Sequence, residues 1–205
     1  MSSISIAVRN RKNDFKEMLC HEIKKRGKDV HIMNLASGAC REIKELLEEN
    51  PKIKNHVSFD CYDTEEDAHA YAKKLIGNKD QNINFFLENA LRIAGTQNIY
   101  QKINKKYDII YSIGLFDYLN YKLSVRLLKN LRKILKNNGV MLIADVRDRY
   151  LNPSVFYMEW AGDWNLIYRS DEEFRQVFID AGFKEKDLKT TYEQQGIIQY
   201  IKAKY

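Results

Sequence analysis

Val30-His31-Ile32-Met33-Asn34-Leu35-Ala36-Ser37-Gly38-Ala39-Cys40-Arg41 is the segment on which the fold turns. Apolar residues Val30, Ile32, Met33 and Leu35 run into a turn of small residues, Ala36 to Cys40. Glu42, Ile43, Glu45, Leu46 and Leu47 follow at helical spacing. Strand, tight turn and helix in that order make a nucleotide-type binding loop at the edge of a parallel sheet. Small side chains let a ligand approach the backbone, and a helix start offers unpaired N–H donors.

Upstream, Phe15, Met18, Leu19 and Ile23 recur at helical spacing, so residues 1–29 read as an amphipathic helix ending near Gly27. Downstream, strand and helix alternate. Strands are expected at 30–36, 56–62, 83–87, 107–113 and 140–146. Helices are expected at 41–49, from Asp63 to Gly77, less regularly from Ala90 to Ile103, and from Tyr118 to Lys136. Asn137-Asn138-Gly139 reads as the turn closing the last of these. Such alternation gives right-handed crossovers and a mostly parallel sheet. A helix at 171–181 and two strands near 187–193 and 197–203 complete the chain. The connection Gln194-Gln195-Gly196 is short enough only for a hairpin, which makes the last strand antiparallel. The expected fold is a three-layer α/β sandwich with a seven-stranded sheet. It forms one domain: an N-terminal helical segment (1–29), a ligand-binding half (30–149), and a partner-side segment with a C-terminal hairpin (150–205).

The 205 residues are 44% hydrophobic and 30% charged, ordinary globular composition. No apolar run approaches the ~20 residues of a membrane span. No secretory signal is expected from the first residues. Three scattered cysteines give neither a disulfide framework nor a CxxC metal site, so the expected compartment is the reducing cytoplasm. The net charge of +6 comes largely from lysines spread along helices, as at Lys122, Lys129, Lys133 and Lys136. Solvated helix faces account for that pattern better than nucleic-acid binding does. The four histidines are not at metal-ligand spacing.

Ordered motifs run through the chain: Asn34 to Cys40 after strand one, Asp63 ending strand two, Glu88-Asn89-Ala90 after strand three, Tyr107 to Ser112 in strand four, and Leu135 to Ile143. In that order and spacing the chain resembles the class I S-adenosylmethionine-dependent methyltransferases, over about residues 28 to 205. Ala-Ser-Gly-x-Cys-Arg-Glu, Gly114 to Leu119 and the late Trp164-x-Leu-x-Tyr-Arg169 resemble a bacterial branch that includes hydroxy-fatty-acid methyl-ester-forming enzymes. One departure stands out. The family's acid-x-Gly-x-Gly-x-Gly is Asn34, Ala36, Gly38, Cys40 here, so one glycine remains and the leading acid is an amide.

The resemblance implies an enzyme, S-adenosylmethionine as cofactor, and a set of candidate residues. Asn34, Ala36, Ser37 and Gly38 would bind the cofactor, with Ala36 and Gly38 facing its methionine portion. Asp63 would accept from the ribose hydroxyls, with Asp60 as its rival; the plainer reading of either is a cap or surface charge. Asn89 would meet the adenine amine, with Tyr62 or Leu87 covering a face and Ala90 also in the cofactor site, while Asn89 reads equally as a helix N-cap. Ser112 and Gly114 would lie beside the sulfonium. For the acceptor, Arg169 is a candidate carboxylate clamp, or else a salt-bridge partner of Asp171 or Glu172. Asp117 is a candidate base, or else the cap of the long helix. Tyr118, Tyr157, Trp160, Trp164 and Tyr168 would form an aromatic acceptor pocket, or else belong to core and lid.

A dinucleotide oxidoreductase is the nearest competing enzyme, but its third glycine slot would hold Arg41, which suits close packing poorly. No Asn/Asp-Pro-Pro-aromatic sequence follows strand four. Small-molecule or lipid acceptors are therefore favoured over nucleobases. The non-enzyme alternative is a catalytically silent S-adenosylmethionine-binding or scaffold protein of the same fold.

Overall fold

The computed structural model describes residues 2–77 and 82–205. The sheet is built from β1 (Val30–Leu35), β2 (Val57–Asp63), β3 (Ile83–Leu87), β4 (Tyr107–Ser112), β5 (Leu135–Val146), β6 (Leu188–Tyr192) and β7 (Ile198–Lys204). Their order across the sheet is β3-β2-β1-β4-β5-β7-β6. β1 to β5 pair in parallel, and β7 is antiparallel to both β5 and β6. The hairpin therefore inserts its second strand between β5 and its own first strand.

Both faces are covered, which explains why the central strands are apolar without a polar side. On one face, α1 (Ser3–Arg26), α2 (Arg41–Glu49) and α3 (Glu66–Ile76) pack against Ile32, Phe59, Ile109, Tyr111 and Leu142. On the other, α4 (Ala90–Gly95), α5 (Tyr121–Lys133) and α6 (Asp171–Asp180) pack against Met33, Leu35, Ile110, Met141 and Ile143. Successive strand residues thus feed alternate layers. α1 sends Phe15, Leu19 and Ile23 into the core, while its N-terminal half runs over the ends of β1 and β4.

Several expected boundaries move. The helix expected from Tyr118 is a 3₁₀ turn at Phe116–Tyr118, and α5 starts only at Tyr121, behind an N-cap in which Asn120 Oδ1 accepts the Leu123 N–H at 3.0 Å. The leucine repeat spans both pieces, and the cap residue decides where the helix begins. Leu135 is already in β5, five residues before the expected start. Asn137-Asn138-Gly139 forms an irregularity within that strand instead of ending the helix: Tyr107 pairs with Leu135, but Ile109 pairs with Val140. Ala90 to Ile103 divides into α4 and a 3₁₀ turn at Ile99–Gln101. α3 begins at Glu66, not Asp63.

Candidate active site

Loops leaving the C-terminal ends of β1, β2, β3 and β4 enclose two hollows that share Ala36. One, of about 340 Å³, is a crevice between Asp63, Glu88, Asn89 and Ala90 on one side and Leu115, Tyr118 and Leu119 on the other. The second, of about 420 Å³, lies beneath α1 and reaches Asn34, Ser37, Cys40, Glu42 and Gly114. In open parallel sheets ligands collect at this place, where the strand order reverses. Here β2 leaves β1 on one side and β4 on the other.

The thinned glycine loop keeps a glycine-like backbone. Ala36, Gly38 and Cys40 have φ of +54°, +51° and +50°. Two non-glycine residues thus hold a left-handed conformation, which stores roughly 1–2 kcal/mol each. Loop hydrogen bonds sustain it: the Ser37 N–H donates to the Tyr62 carbonyl at 3.0 Å and the Gly38 N–H to Asp63 Oδ2 at 2.7 Å. A side chain at Gly38 would meet no atom within 4 Å, so the loop faces open space there. Ala36→Gly is expected to raise stability by about 0.5–1 kcal/mol, since the relieved strain exceeds the added chain entropy. A thermal unfolding midpoint that stays level or falls would contradict the strain.

Asp63 lines the crevice and is partly exposed. Besides the Gly38 N–H it accepts from the Glu65 N–H at 3.1 Å. Each carboxylate oxygen has two acceptor sites, so one on each remains open. Its rival Asp60 is turned elsewhere. Asp60 is buried and takes hydrogen bonds from Tyr107 Oη, Lys105 Nζ and Asn84 Nδ2 at 2.8–2.9 Å.

Four other sequence candidates also find partners within the protein. Asn89 Oδ1 caps α4 by accepting the Leu91 N–H at 2.7 Å, which engages one of its two acceptor sites. Tyr62 points away from the crevice, with its hydroxyl 3.1 Å from that of Tyr107 and its ring stacked on Phe86. Ser112 is fully buried and donates to the Leu35 carbonyl at 2.8 Å, joining β4 to β1. Asn34 is buried and donates to Glu42 Oε1 at 3.1 Å.

That last contact reveals a residue the sequence concealed. Glu42, read as a first-turn helix acid, points inward and also accepts from Tyr111 Oη at 2.8 Å. Burial raises its carboxyl above the usual range, while the Tyr111 and Asn34 bonds work against that shift. A buried carboxyl group from α2, eight residues on, thus sits beside Asn34. Glu88, at the other hollow, shows the opposite balance. Burial alone would raise it, but Lys102 Nζ at 2.8 Å and the Asn89 N–H together bring it below the usual range.

Neither residue assigned to acceptor chemistry is free. Arg169 is buried, and lines neither hollow. It donates to Asp145 Oδ1 at 2.8 Å, to the Phe116 carbonyl at 3.0 Å, and to the Leu119 carbonyl. The partner the sequence suggested for it, Asp171, is taken by Arg147. Asp117 is also buried; its Oδ1 accepts the Val146 N–H at 2.6 Å, and Oδ2 lies 3.7 Å from Arg11 Nη1. Asn120, not Asp117, caps the long helix. Of the aromatic candidates, Tyr118 lines the crevice and receives a hydrogen bond from Trp164 Nε1 at 2.7 Å. Tyr168 lies under Arg149, whereas Tyr157 and Trp160 stand exposed.

Asp117 and Asp145 interact as a buried carboxyl pair. Burial, then the neighbouring Asp117 charge, holds Asp145 well above the ordinary carboxylate range despite Arg169. Asp145 Oδ2 has no donor, and a proton on it, given to Asp117, satisfies both groups. An acid whose folded pKa is raised stabilises the native state fully below its unfolded value, near about 3.9, and that contribution is lost as pH rises through the folded value. Asp145→Asn is therefore expected to flatten the decline in unfolding midpoint as pH rises above about 4. Parallel curves for the variant and the parent would refute the shared proton.

A family described as "Methyltransferase domain" matches residues 33–141. No curated protein matches the chain by sequence. Among solved structures, a Bordetella parapertussis chain described as a possible exported protein superposes over all of this chain and 70% of its own, with TM-score 0.79 and 17% identity. Magnesium protoporphyrin IX methyltransferase from Synechocystis PCC 6803, with bound S-adenosylhomocysteine, matches over 100% of this chain and 87% of its own, with TM-score 0.69 and 10% identity. Human N-acetylserotonin methyltransferase, in complex with S-adenosylmethionine, matches over 85% of this chain, with TM-score 0.59 and 16% identity; the matched part is 47% of the human chain. The hydroxy-fatty-acid branch gains no support from these relatives. The family match covers more than half the sequence and contains the strained loop, Asp63 and Glu42, and the chain belongs to the class I S-adenosylmethionine-dependent methyltransferases.

Proposed function

We propose that this chain transfers the methyl group of S-adenosylmethionine to oxygen or nitrogen of a small-molecule or lipid acceptor. The observation that carries this reading is the pair of hollows joined at Ala36, one beside the Asp63 carboxylate and one walled by the strained loop. They fit a nucleoside at one end and an amino acid at the other. Asp63 would take the ribose hydroxyls through its open acceptor sites, and Ala90, Leu91 and Leu115 would cover adenine. Residues 30–149 then hold the cofactor, and residues 150–205 form the acceptor side within one domain.

The cofactor supplies a methyl group on a sulfonium, open to in-line displacement. The protein's task is to align the acceptor and exclude water, and such positioning supplies about 7–11 kcal/mol. A base is needed only where the acceptor must lose a proton. With Asp117 and Arg169 bound into the scaffold, an acceptor that is already nucleophilic fits best. Tyr118 and Trp164, joined by their hydrogen bond, would wall that acceptor's entrance. The names of two structural relatives, for magnesium protoporphyrin IX and N-acetylserotonin, accord with small acceptors. The three cysteines are free, in keeping with a reducing compartment, and among the described residues no helix is long and apolar enough to cross a membrane.

Calorimetry with S-adenosylhomocysteine, followed by incubation of extracts with radiolabelled methyl donor, tests the reading. Micromolar binding and a labelled product support it. Binding without any labelled product would identify a silent cofactor-binding protein instead, and no binding would end both readings.

A further inference from the structure

Two thiols meet behind the strained loop. Cys40 closes that loop as the N-cap residue of α2, and Cys61 lies on β2, in register with Asn34 of β1. Their sulfurs are 3.7 Å apart, and both residues are buried. Among the described residues no third ligand joins them to make a metal site. The pair is asymmetric. Cys40 lines the hollow beneath α1, whereas Cys61 stands behind it in the core. The Cys40 sulfur, and then burial, push the Cys61 thiol well above its ordinary range, so Cys61 stays protonated. Cys40 is therefore the sulfur that a small oxidant entering the hollow meets first. The third cysteine, Cys20, is half-buried on α1 and donates to Asn50 Oδ1 at 3.3 Å.

A disulfide holds its sulfurs about 2.05 Å apart, so bonding requires a further approach. That movement falls to Cys40, because Cys61 is fixed in a strand paired on both sides. Cys40 has φ of +50°, a costly conformation for a residue with a side chain. Its N–H donates to the Ser37 carbonyl at 3.2 Å, which ties it to the rest of the loop. A side chain at Gly38 would meet nothing within 4 Å, so the loop has room to shift. Drawing Cys40 toward β2 therefore moves the stretch from Ser37 to Cys40, which walls the hollow.

We propose that Cys40 and Cys61 are a site of reversible oxidation, whose disulfide reshapes the loop and lowers affinity for the methyl donor. The effect on the donor rests on the reading of the chain as a methyltransferase that uses S-adenosylmethionine; the bond itself does not. With hydrogen peroxide as oxidant, the Cys40 sulfur gives up its proton and attacks one peroxide oxygen. The O–O bond breaks, hydroxide leaves and takes that proton as water, and Cys40 carries a sulfenic acid. The Cys61 sulfur then attacks the Cys40 sulfur. The S–S bond forms, the S–O bond breaks, and the departing hydroxide takes the Cys61 proton as a second water. Two thiols lose two electrons and two protons, and one peroxide becomes two waters. A small thiol reverses the bond by exchange. A donor in the hollow stands between Cys40 and the oxidant, so oxidation and donor binding oppose each other, each weakening the other by the same factor. In a reducing compartment a disulfide of this kind is transient and senses oxidant.

The test treats the full chain with hydrogen peroxide and reads each thiol by differential alkylation and mass spectrometry of proteolytic peptides. The expected product is a Cys40–Cys61 cross-linked peptide pair, removed by dithiothreitol and formed about tenfold more slowly under saturating S-adenosylhomocysteine. By calorimetry the oxidised protein should bind S-adenosylhomocysteine about tenfold more weakly, and dithiothreitol should restore the affinity. Cys40→Ser and Cys61→Ala should both lack the cross-link, and either suffices if the other fails to fold. In Cys40→Ser, peroxide should leave the affinity where it was. Oxidation confined to Cys20, or sulfinic acid at Cys40 without a cross-link, would overturn the proposal. A cross-link that leaves the affinity unchanged would overturn its effect on the donor. If the untreated chain binds no S-adenosylhomocysteine yet forms the cross-link, the cofactor reading fails and the oxidation site stands.

Discussion

Arg169→Met is expected to destabilise the protein by about 3–5 kcal/mol, because it leaves the buried Asp145 Oδ1 without a donor and takes one donor each from the Phe116 and Leu119 carbonyls. Arg169 closes a knot between three parts of the chain: Asp145 at the end of β5, and the carbonyls of Phe116 and Leu119 in the turn before α5. Its own carbonyl accepts from Gln199 Nε2 on β7 at 3.1 Å. For a chain of this size a loss of that order lowers the unfolding midpoint by about 6–20 °C. Arg169→Lys should recover only part of it, since one ammonium cannot reach all the acceptors along the guanidinium's edges. Calorimetric melting decides the matter. A midpoint within about 2 °C of the parent, combined with a raised acceptor KM, would restore Arg169 to the role of acceptor clamp.

Removal of the Asp63 side chain should cost nearly all useful cofactor affinity. Two charge-assisted bonds to ribose at about 1.5 kcal/mol each amount to about 3 kcal/mol, or roughly 100-fold in Kd. Asp63→Ala also frees the Gly38 and Glu65 N–H groups, so the loop itself loosens. The two effects separate with a sugar variant. The parent should discriminate strongly between methylthioadenosine and its deoxyribose analogue, and Asp63→Ala should bind the two alike. Undiminished discrimination in the variant would mean that Asp63 only fastens the loop.

The order of elements and the parallel sheet were legible because each strand is an apolar run and each helix an amphipathic one, signals carried by neighbours in sequence. The position of the ligand loop was legible for the same reason: Ala36 to Cys40 breaks the pattern between them. Partners remote in sequence were not. Arg147 and Arg169 precede α6 in similar polar contexts, and nothing local tells which reaches Asp171 and which turns inward to Asp145. Glu42 reads as an ordinary first-turn acid until Asn34 and Tyr111 are seen to converge on it. Asp60 and Asp63 differ by three residues along one strand, yet the pleat and the strand's end send one toward Tyr107 and the other toward Gly38. The start of α5 was obscured because Leu119 continues the leucine repeat through a turn of different geometry.

The insertion of β7 between β5 and β6 has a consequence for biosynthesis. Among the described residues, β6 touches the rest of the sheet only through β7. As the chain leaves the ribosome, β5 emerges with Met141, Leu142, Ile143 and Ala144 along a margin that has no neighbour yet. Its partner follows about 60 residues later, a delay of several seconds at ordinary translation rates. During that interval an unpaired apolar margin is open to other nascent chains, so the yield of native protein should depend on how fast the stretch from 147 to 204 is translated and on the chaperones that shield β5 in the meantime.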